Sequence, residues 1–579
     1  MNLEGIYHRV NSNYAYLVEE DRVLLKLRTK RDDLNSVKVF HCDKYRKINS
    51  CEDLKIVEMT KKYSDQLFDY YEVIIEFRGI SLAYYFELVG KEDSLFYGRN
   101  GFYGELIEEE ADMFIMANFS KDNLFTIPAW HKKAIVYQIF PDRFNRGSNF
   151  VLEDKYTEDW NGEVNYRTFL GGNLKGITEK LDYLEDLGIN TIYLTPIFKS
   201  DSTHRYDTDD YYQIDPGLGT KQEFKELVDK AHQRKIKIIL DAVFNHCGLN
   251  FFAFDDLVKK GEESKYKDWF EVDSYPVTKE RKRKPNYKTF GYYYHMPKLI
   301  LSNQETAEYF LEVARYWTKE FNIDGWRLDV ADEISPEFWR EFRRTLKRIN
   351  PDILISGEVW YDSDFWLKGD QFDTVMNYPF LEVVEDFFAK EVINVDKFSN
   401  RLAKVRSLYK KQAHENLWNL IDSHDVSRFL YKCENNLASF KLAVLFQLTY
   451  VGVPVIYYGD EYGMAGGVDG LEKREAMSWE EGKQNQELFQ YYKRLIRIRR
   501  ENQELIAGEY SEVLKDRETN LYGYKRSYYG QEMLIYLNNS NQNTILELAG
   551  SYRELLTDRI LEGKITIEAK EGVVLKPLF

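Results

Sequence analysis

From Ala134 to about Asn502 the chain alternates, eight times over, between a short apolar run and a longer amphipathic stretch. The runs cover 134–140, 189–196, 236–245, 323–330, 353–359, 372–378, 417–422 and 453–459. Runs that are apolar at most positions suit parallel strands buried on both faces, not strands with one wet face. The stretches between them include 174–187, 221–234, 306–321, 335–349 and 486–499, with helical periodicity. Ser335-Pro336-Glu337 opens one of these as an N-cap followed by proline at the first helical position. Eight such units predict an α/β chain built on a (β/α)8 TIM barrel, with a doubly wound open sheet as the alternative.

The 579 residues exceed what one barrel needs, so further domains are expected. Residues 1–128 read as a β-sandwich, with β-branched and aromatic runs at 23–28, 37–40, 71–77 and 81–88. The catalytic barrel is assigned to 129–502. A connection at about 247–301 is too long for an ordinary loop and is expected to be a small insertion subdomain after strand three. Shorter runs at 521–524, 533–538, 544–548 and 565–567 predict a C-terminal β-sandwich over 503–579.

A formal net charge of −16 argues against a nucleic-acid partner, whose phosphates would repel the chain. The dense basic run at 279–284 reads as a solvated loop. The opening residues have no basic region followed by an apolar one, so no signal peptide is expected. No run approaches the ~20 apolar residues of a membrane span, so no membrane partner is expected. Four cysteines form no disulfide framework; Cys42 and Cys51 could pair, but free thiols in a reducing cytoplasm are the expectation. Aromatic residues make up 16% of the chain, which suits stacking on sugar faces and suits β-rich packing equally.

In a TIM barrel the C-terminal strand ends form the active face. Strand three here ends Asp241-Ala242-Val243-Phe244-Asn245-His246, and strand four ends Gly325-Trp326-Arg327-Leu328-Asp329. Strand five ends Ser356-Gly357-Glu358-Val359-Trp360, and strand seven ends Asp422-Ser423-His424-Asp425. Acids on three strand tips (Asp329, Glu358, Asp425) converge with His246, His424 and Arg327. Such acids repel one another, which a purely structural role does not explain.

These segments resemble, in order, the four signature regions of the α-amylase family of retaining glycoside hydrolases. The resemblance runs from Tyr137-Gln138-Ile139-Phe140-Pro141-Asp142-Arg143-Phe144 to about Trp479, and with its flanks covers nearly the whole chain. Val330-Ala331-Asp332-Glu333, Met296-Pro297-Lys298-Leu299 and the N-terminal module are similar to the cyclomaltodextrinase, neopullulanase and maltogenic amylase group.

The resemblance implies a nucleophile at Asp329, a general acid and base at Glu358, and a sugar-distorting, hydroxyl-holding carboxylate at Asp425. Arg327, two residues before Asp329 and so on the same face of the strand, would keep that carboxylate ionised. His246 and His424 would bind the sugar at the cleavage subsite and Tyr206 would stack on it. Phe290 and Trp360 would offer aromatic surface on the leaving-group side, although aromatics more often pack than bind. Glu333 would sit near the acceptor and influence transfer, and Asp469 and Arg474 would contact the non-reducing side, with Lys473 competing for the arginine's role. The implied reaction is hydrolysis of cyclodextrins and short malto-oligosaccharides, mainly at α-1,4 bonds, with pullulan a further candidate and some transglycosylation. A transglycosylase or isomerase of the same fold is the alternative; a non-enzymatic amylase-like partner protein ranks lower, since the catalytic acids are present. The group also implies a homodimer formed through the N-terminal domain.

Three departures from the family pattern stand out. Relatives often bind calcium just after strand one, but this chain has Phe144-Asn145-Arg146-Gly147-Ser148-Asn149 there and Asn173 where a later acid is common. Calcium favours several oxygens with negative charge, and Arg146 brings a cation. The expectation is no required cofactor and an empty or weak calcium site, with the guanidinium standing in for the ion. Ile300 and Ala476 depart from a usual asparagine and proline, which bears on specificity and not on the chemistry.

Overall fold

A computed structural model describes residues 1–578 except 46–53, 118, 121–122, 158, 163, 165–167, 280–283 and 467–471. Cys51, most of the basic run at 279–284, and Asp469 therefore lie outside the described residues.

All eight predicted barrel strands form: Val136–Ile139, Thr191–Leu194, Lys237–Ala242, Gly325–Leu328, Leu354–Gly357, Thr374–Val375, Trp418–Leu420 and Val453–Tyr457. Each pairs in parallel with its sequence neighbours, and the first pairs with the eighth. A parallel bridge from Met376 to Trp418 joins the sixth to the seventh and completes the ring. A doubly wound sheet would reverse its strand order and leave two edges; here the order runs round without reversal.

Residues alternate across the barrel wall. Val136, Tyr193, Ile239, Leu354, Trp418 and Val455 fill the interior, while Tyr137, Ile192, Ile238, Trp326 and Ile355 face the surrounding helices. The helix Lys221–Gln233 begins with a capping box between Thr220 and Glu223, and Gln304–Phe321, Leu437–Thr449 and Gln486–Glu501 are each capped by a preceding asparagine.

Some local expectations fail for identifiable reasons. The stretch 174–187 is two short helices, Leu174–Glu179 and Leu181–Leu187, broken at Lys180. Ser335 precedes Pro336–Ile349 as expected, but its hydroxyl makes no capping hydrogen bond. The fifth unit has no helix, because 359–372 crosses back through turns rich in Asp, Ser and Gly.

The N-terminal region is two facing sheets. One is built on Arg22–Lys30 and Phe68–Glu76, the other on Ser36–Asp43 and Ser81–Val89, with Leu25, Leu27, Val37, Tyr84 and Phe86 between them. It is tied to the barrel where the Asn13 amide donates to the carbonyls of Ser407 (2.8 Å) and Leu408 (2.9 Å). The segment after strand three holds the helix Phe252–Lys260 and isolated bridges such as Thr289 to Pro297.

At the C-terminal end six strands are joined in one continuous pairing order. Its longest strand, Thr544–Glu554, shifts register between Leu548 and Tyr552, so it pairs with Ile560–Ile567 along its length and with Gly572–Pro577 only at its end. One face covers Leu546, Ile567 and Leu575; the other lays Tyr522, Tyr524 and Ile535 against the barrel helices. Among the described residues no helix is long and apolar enough to cross a membrane.

Candidate active site

Strand register sets the centre of the site. Asp241 on strand three lies opposite Arg327 on strand four, which lies opposite Ser356 on strand five. Side chains at these positions point into the barrel mouth, and two residues further along each strand so do Asp329 and Glu358. Arg327 is fully buried. Its Nη1 donates to Asp329 Oδ1 at 2.7 Å and to Asp241 Oδ1 at 3.1 Å. Nη2 lies 2.9 Å from Glu358 Oε2 and 3.9 Å from Asp425 Oδ2. One guanidinium therefore gathers the acids of four strands.

Glu358 is oriented by two more donors: the backbone N–H of Val330 to Oε2 (2.9 Å) and the Trp360 indole to Oε1 (3.1 Å). Val330 sits at φ 45°, in the left-handed region that a β-branched residue rarely adopts. That conformation costs on the order of 1–3 kcal/mol, and it aims this N–H at the carboxylate. Trp360 is itself fixed by stacking on Tyr378, with ring centroids 3.9 Å apart.

Four acids around one buried cation leave excess negative charge. Burial pushes the Asp329 carboxyl well above the usual carboxylate range, Glu358 pushes it further, and Arg327 opposes both. Burial also raises Asp241 to about 6, against the stabilising Arg327 and the hydroxyls of Tyr193 and Tyr206. Those hydroxyls donate to Asp241 Oδ2 at 2.5 and 2.9 Å.

The two histidines differ in their surroundings. His424 has Gln138 Nε2 at 2.5 Å from Nδ1, and Asp425 Oδ2 at 3.0 Å from Nε2. Burial holds its pKa well below the ordinary value, with Arg474 and Arg327 adding to the effect, so the ring is neutral. An amide donor at Nδ1 and a carboxylate at Nε2 select the Nε2–H tautomer. That N–H also faces the Tyr206 hydroxyl at 2.6 Å, and the two rings lie parallel. His246 is buried against Phe290, with ring centroids 4.8 Å apart, and its Nε2 has no hydrogen-bond partner among the described residues. Burial lowers its pKa to about 3, with Lys298 next in effect. An orphaned donor or acceptor of this kind is costly unless a ligand or water satisfies it.

Asp425 is held from the loop after strand eight. Lys473 Nζ donates to its carbonyl (2.6 Å), Arg474 Nη2 reaches its Oδ1 (3.5 Å), and Arg474 Nε donates to the His424 carbonyl (3.0 Å). Lys473 and Arg474 thus both hold the segment that carries Asp425. Glu333 lies at the rim, partly exposed, where it accepts from Lys298 Nζ at 2.7 Å and Asn245 Nδ2 at 3.3 Å.

The structure brings Tyr206, Arg327, Asp329, Glu358, His424, Asp425 and Arg474 into one connected network, with Phe290 and His246 beside it and Glu333 and Trp360 at its edge. Asp469 lies outside the described residues. Sequence reasoning passed over Asp241, Gln138 and Tyr193 as functional residues. For Asp241 the available signal was parity, since it is an inward position on strand three, whose tip carries His246.

The segment after strand one is held by its own hydrogen bonds. Arg146 Nε donates to the Leu170 carbonyl (2.7 Å) and Nη2 to the Thr157 carbonyl (2.5 Å), with the guanidinium over the Phe150 ring. Asn173 Oδ1 accepts from the backbone of Gly147 (3.1 Å) and Gly176 (2.8 Å), capping a helix. Three oxygens of this segment are thus engaged, two of them by a fixed positive charge. Among the described residues no cluster of three His, Cys, Asp or Glu side chains suits a metal.

Comparison with known proteins agrees with this geometry. Residues 138–482 match the α-amylase catalytic domain, residues 1–120 the α-amylase N-terminal Ig-like domain, and residues 525–577 a β-galactosidase C-terminal domain. The chain is 44% identical to neopullulanase 2 of Thermoactinomyces vulgaris, over 99% of each chain. It is 39% identical to an intracellular maltogenic amylase of Bacillus subtilis, over 96% of this chain and 94% of the other. A solved cyclomaltodextrinase superposes with a TM-score of 0.95 over 100% of both chains at 38% identity. The chain belongs to the α-amylase family of glycoside hydrolases, within the group of cyclomaltodextrinases, neopullulanases and maltogenic amylases.

Proposed function

We propose that this enzyme hydrolyses α-1,4-glucosidic bonds in cyclodextrins and short malto-oligosaccharides by double displacement, with pullulan a further substrate. The observation that carries the reading is the single guanidinium of Arg327 in contact with both Asp329 and Glu358 on adjacent strand tips. A retaining glycosidase needs its two carboxyl groups about 5–5.5 Å apart, and one planar cation touching both holds them on that scale.

Asp329 attacks the anomeric carbon while Glu358 gives its proton to the departing glycosidic oxygen. The glycosyl ester removes the Asp329 charge. Glu358, now relieved of the Asp329 charge, accepts a proton from water as that water releases the sugar. Asp425, oriented by His424, Arg474 and Lys473, accepts hydrogen bonds from ring hydroxyls and favours the distorted ring. His246 Nε2, unpartnered and buried, supplies another sugar contact, and Tyr206 with His424 forms the floor beneath it.

Trp360 and Phe290 form the leaving-group side. Glu333, exposed and paired with Lys298 at that rim, supports a share of transfer to acceptor sugars, so some transglycosylation accompanies hydrolysis. We further propose that no metal is required, that the enzyme works in the cytoplasm, and that it forms a homodimer through the N-terminal sandwich. Gel filtration giving only monomer would remove the dimer from this account.

The test incubates the purified enzyme with cyclodextrin, maltotriose, pullulan and starch and identifies the products. Cyclodextrin is expected to be opened and degraded faster than starch. Equal rates on both would contradict the assignment. Asp329→Asn is expected to lose nearly all turnover while retaining substrate binding.

A further inference from the structure

Away from the barrel mouth, the N-terminal sandwich, the barrel and the C-terminal sheet meet around a cavity of about 80 Å³. Lys26 and Tyr63 line it from the first, Arg406 and His414 from the second, and Glu509 and Tyr510 from the third. The space takes several waters or one small ion.

Lys26, Lys62, Arg406 and Lys411 line it against the carboxylates of Glu72, Glu415 and Glu509. Lys26 is paired with Glu72 (3.3 Å), while Lys62 and Lys411 share Glu509 at 3.7 and 3.1 Å. Arg406 is different. Its guanidinium lies between the rings of Tyr63 (4.5 Å) and Tyr510 (4.8 Å), and no described residue gives it a hydrogen bond or an ion pair. A guanidinium carries five N–H donors, and those of half-buried Arg406 are met by no acceptor of the described residues.

Two further arginines near this junction lack a carboxylate partner among the described residues. Arg526 donates to the carbonyls of Thr449 (2.9 Å), Leu505 (3.0 Å) and Gly508 (3.1 Å). Arg499 donates to those of Leu448 (2.9 Å) and Tyr450 (3.1 Å). Burial pushes Arg526 down to about 10; burial and then Arg526 push Arg499 down to about 9. His414 is also buried here, and its ring makes no hydrogen bond to a described residue; burial, then Arg406, Lys26 and Arg526, keep it neutral. A neutral imidazole keeps one N–H to donate.

We propose that this junction cavity binds one small oxyanion of the phosphate type, held by the Arg406 fork with His414 and Lys26 as further donors. A guanidinium fork suits such an ion, since it presents parallel N–H donors to two oxygens. The bound ion would tie the three modules together through groups that each contributes.

The test uses inorganic phosphate and the full-length enzyme at constant ionic strength. Equilibrium dialysis with labelled phosphate is expected to show one saturable site per chain, and thermal unfolding a saturable rise in Tm. Arg406→Gln is expected to weaken binding at least tenfold and abolish the Tm rise. The surface variant Arg517→Gln, 75% exposed in its side chain, is expected to retain both. A crystal grown with phosphate is expected to show a tetrahedral ion within hydrogen-bond distance of Arg406, a readout that does not depend on any variant folding. No saturable binding by the wild type, equal binding by Arg406→Gln, or only water in the cavity would overturn the proposal.

Discussion

Replacing Arg327 with methionine tests how the acids are held. The side chain is fully buried, and three carboxylates lie within 3.1 Å of its guanidinium, with a fourth at 3.9 Å. Methionine fills similar space without charge. Removing one partner of a buried ion pair costs about 3–5 kcal/mol. Here the stranded acids relieve part of that cost by taking up protons. Asp329, already raised by burial and by Glu358, loses the cation that opposes both. The proposed reaction needs Asp329 ionised, so activity grows as pH rises through its pKa, and the variant's acidic limb moves to higher pH. If a similar 3–5 kcal/mol is lost from the transition state, kcat/KM falls about 10²- to 10⁴-fold. The assay is kcat/KM on a chromogenic aryl maltoside from pH 4.5 to 9, with thermal unfolding of each variant to confirm folding. Arg327→Lys keeps the charge but not the fork, and is expected to fall between the two. A methionine variant within tenfold of wild type, with its acidic limb unmoved, would refute the reasoning.

Two other expectations follow from the same structure. Burial raises Asp241 to about 6, so the stability this carboxyl contributes is present below its unfolded value near 4 and is lost as pH rises through 6. Asp241→Asn is therefore expected to gain on wild type by about 2–3 kcal/mol between pH 4 and pH 7.5, read by urea unfolding at both; an unchanged difference would contradict the assignment. Because Arg146 engages the carbonyls of Leu170 and Thr157, exhaustive chelation is expected to leave wild-type Tm and activity unchanged. Arg146→Ala is expected to lose about 1–3 kcal/mol through unsatisfied carbonyls, and a Tm drop on chelating the wild type would contradict this.

The barrel was legible in the sequence because its strands are buried on both faces, and unbroken apolar runs such as 453–459 have few other uses. The strand tips were legible because the residues that carry the chemistry adjoin those runs. The fifth unit's missing helix was not, since a recurring pattern invites completion. The break at Lys180 depends on local packing that periodicity does not register. Asp241 and Gln138 escaped attention for a different reason: their importance comes from contacts between strands, since register places 241 beside 327 and a hydrogen bond across the barrel mouth joins 138 to 424. Asn13, Arg406 and Arg526 matter only through contacts between modules, and nothing in a linear chain marks those. At the C-terminal end, alternating runs announced strands but not the register shift after Leu548 that lets one strand pair with two partners.

The central claim is double displacement at Asp329 with Glu358 as proton carrier, and the configuration of the newly freed anomeric carbon tests it most directly. Proton NMR during the first minutes of cyclodextrin or maltotriose hydrolysis, before mutarotation, is expected to show the α-anomer appearing first. A β-anomer released first would mean single displacement by water and would contradict the account.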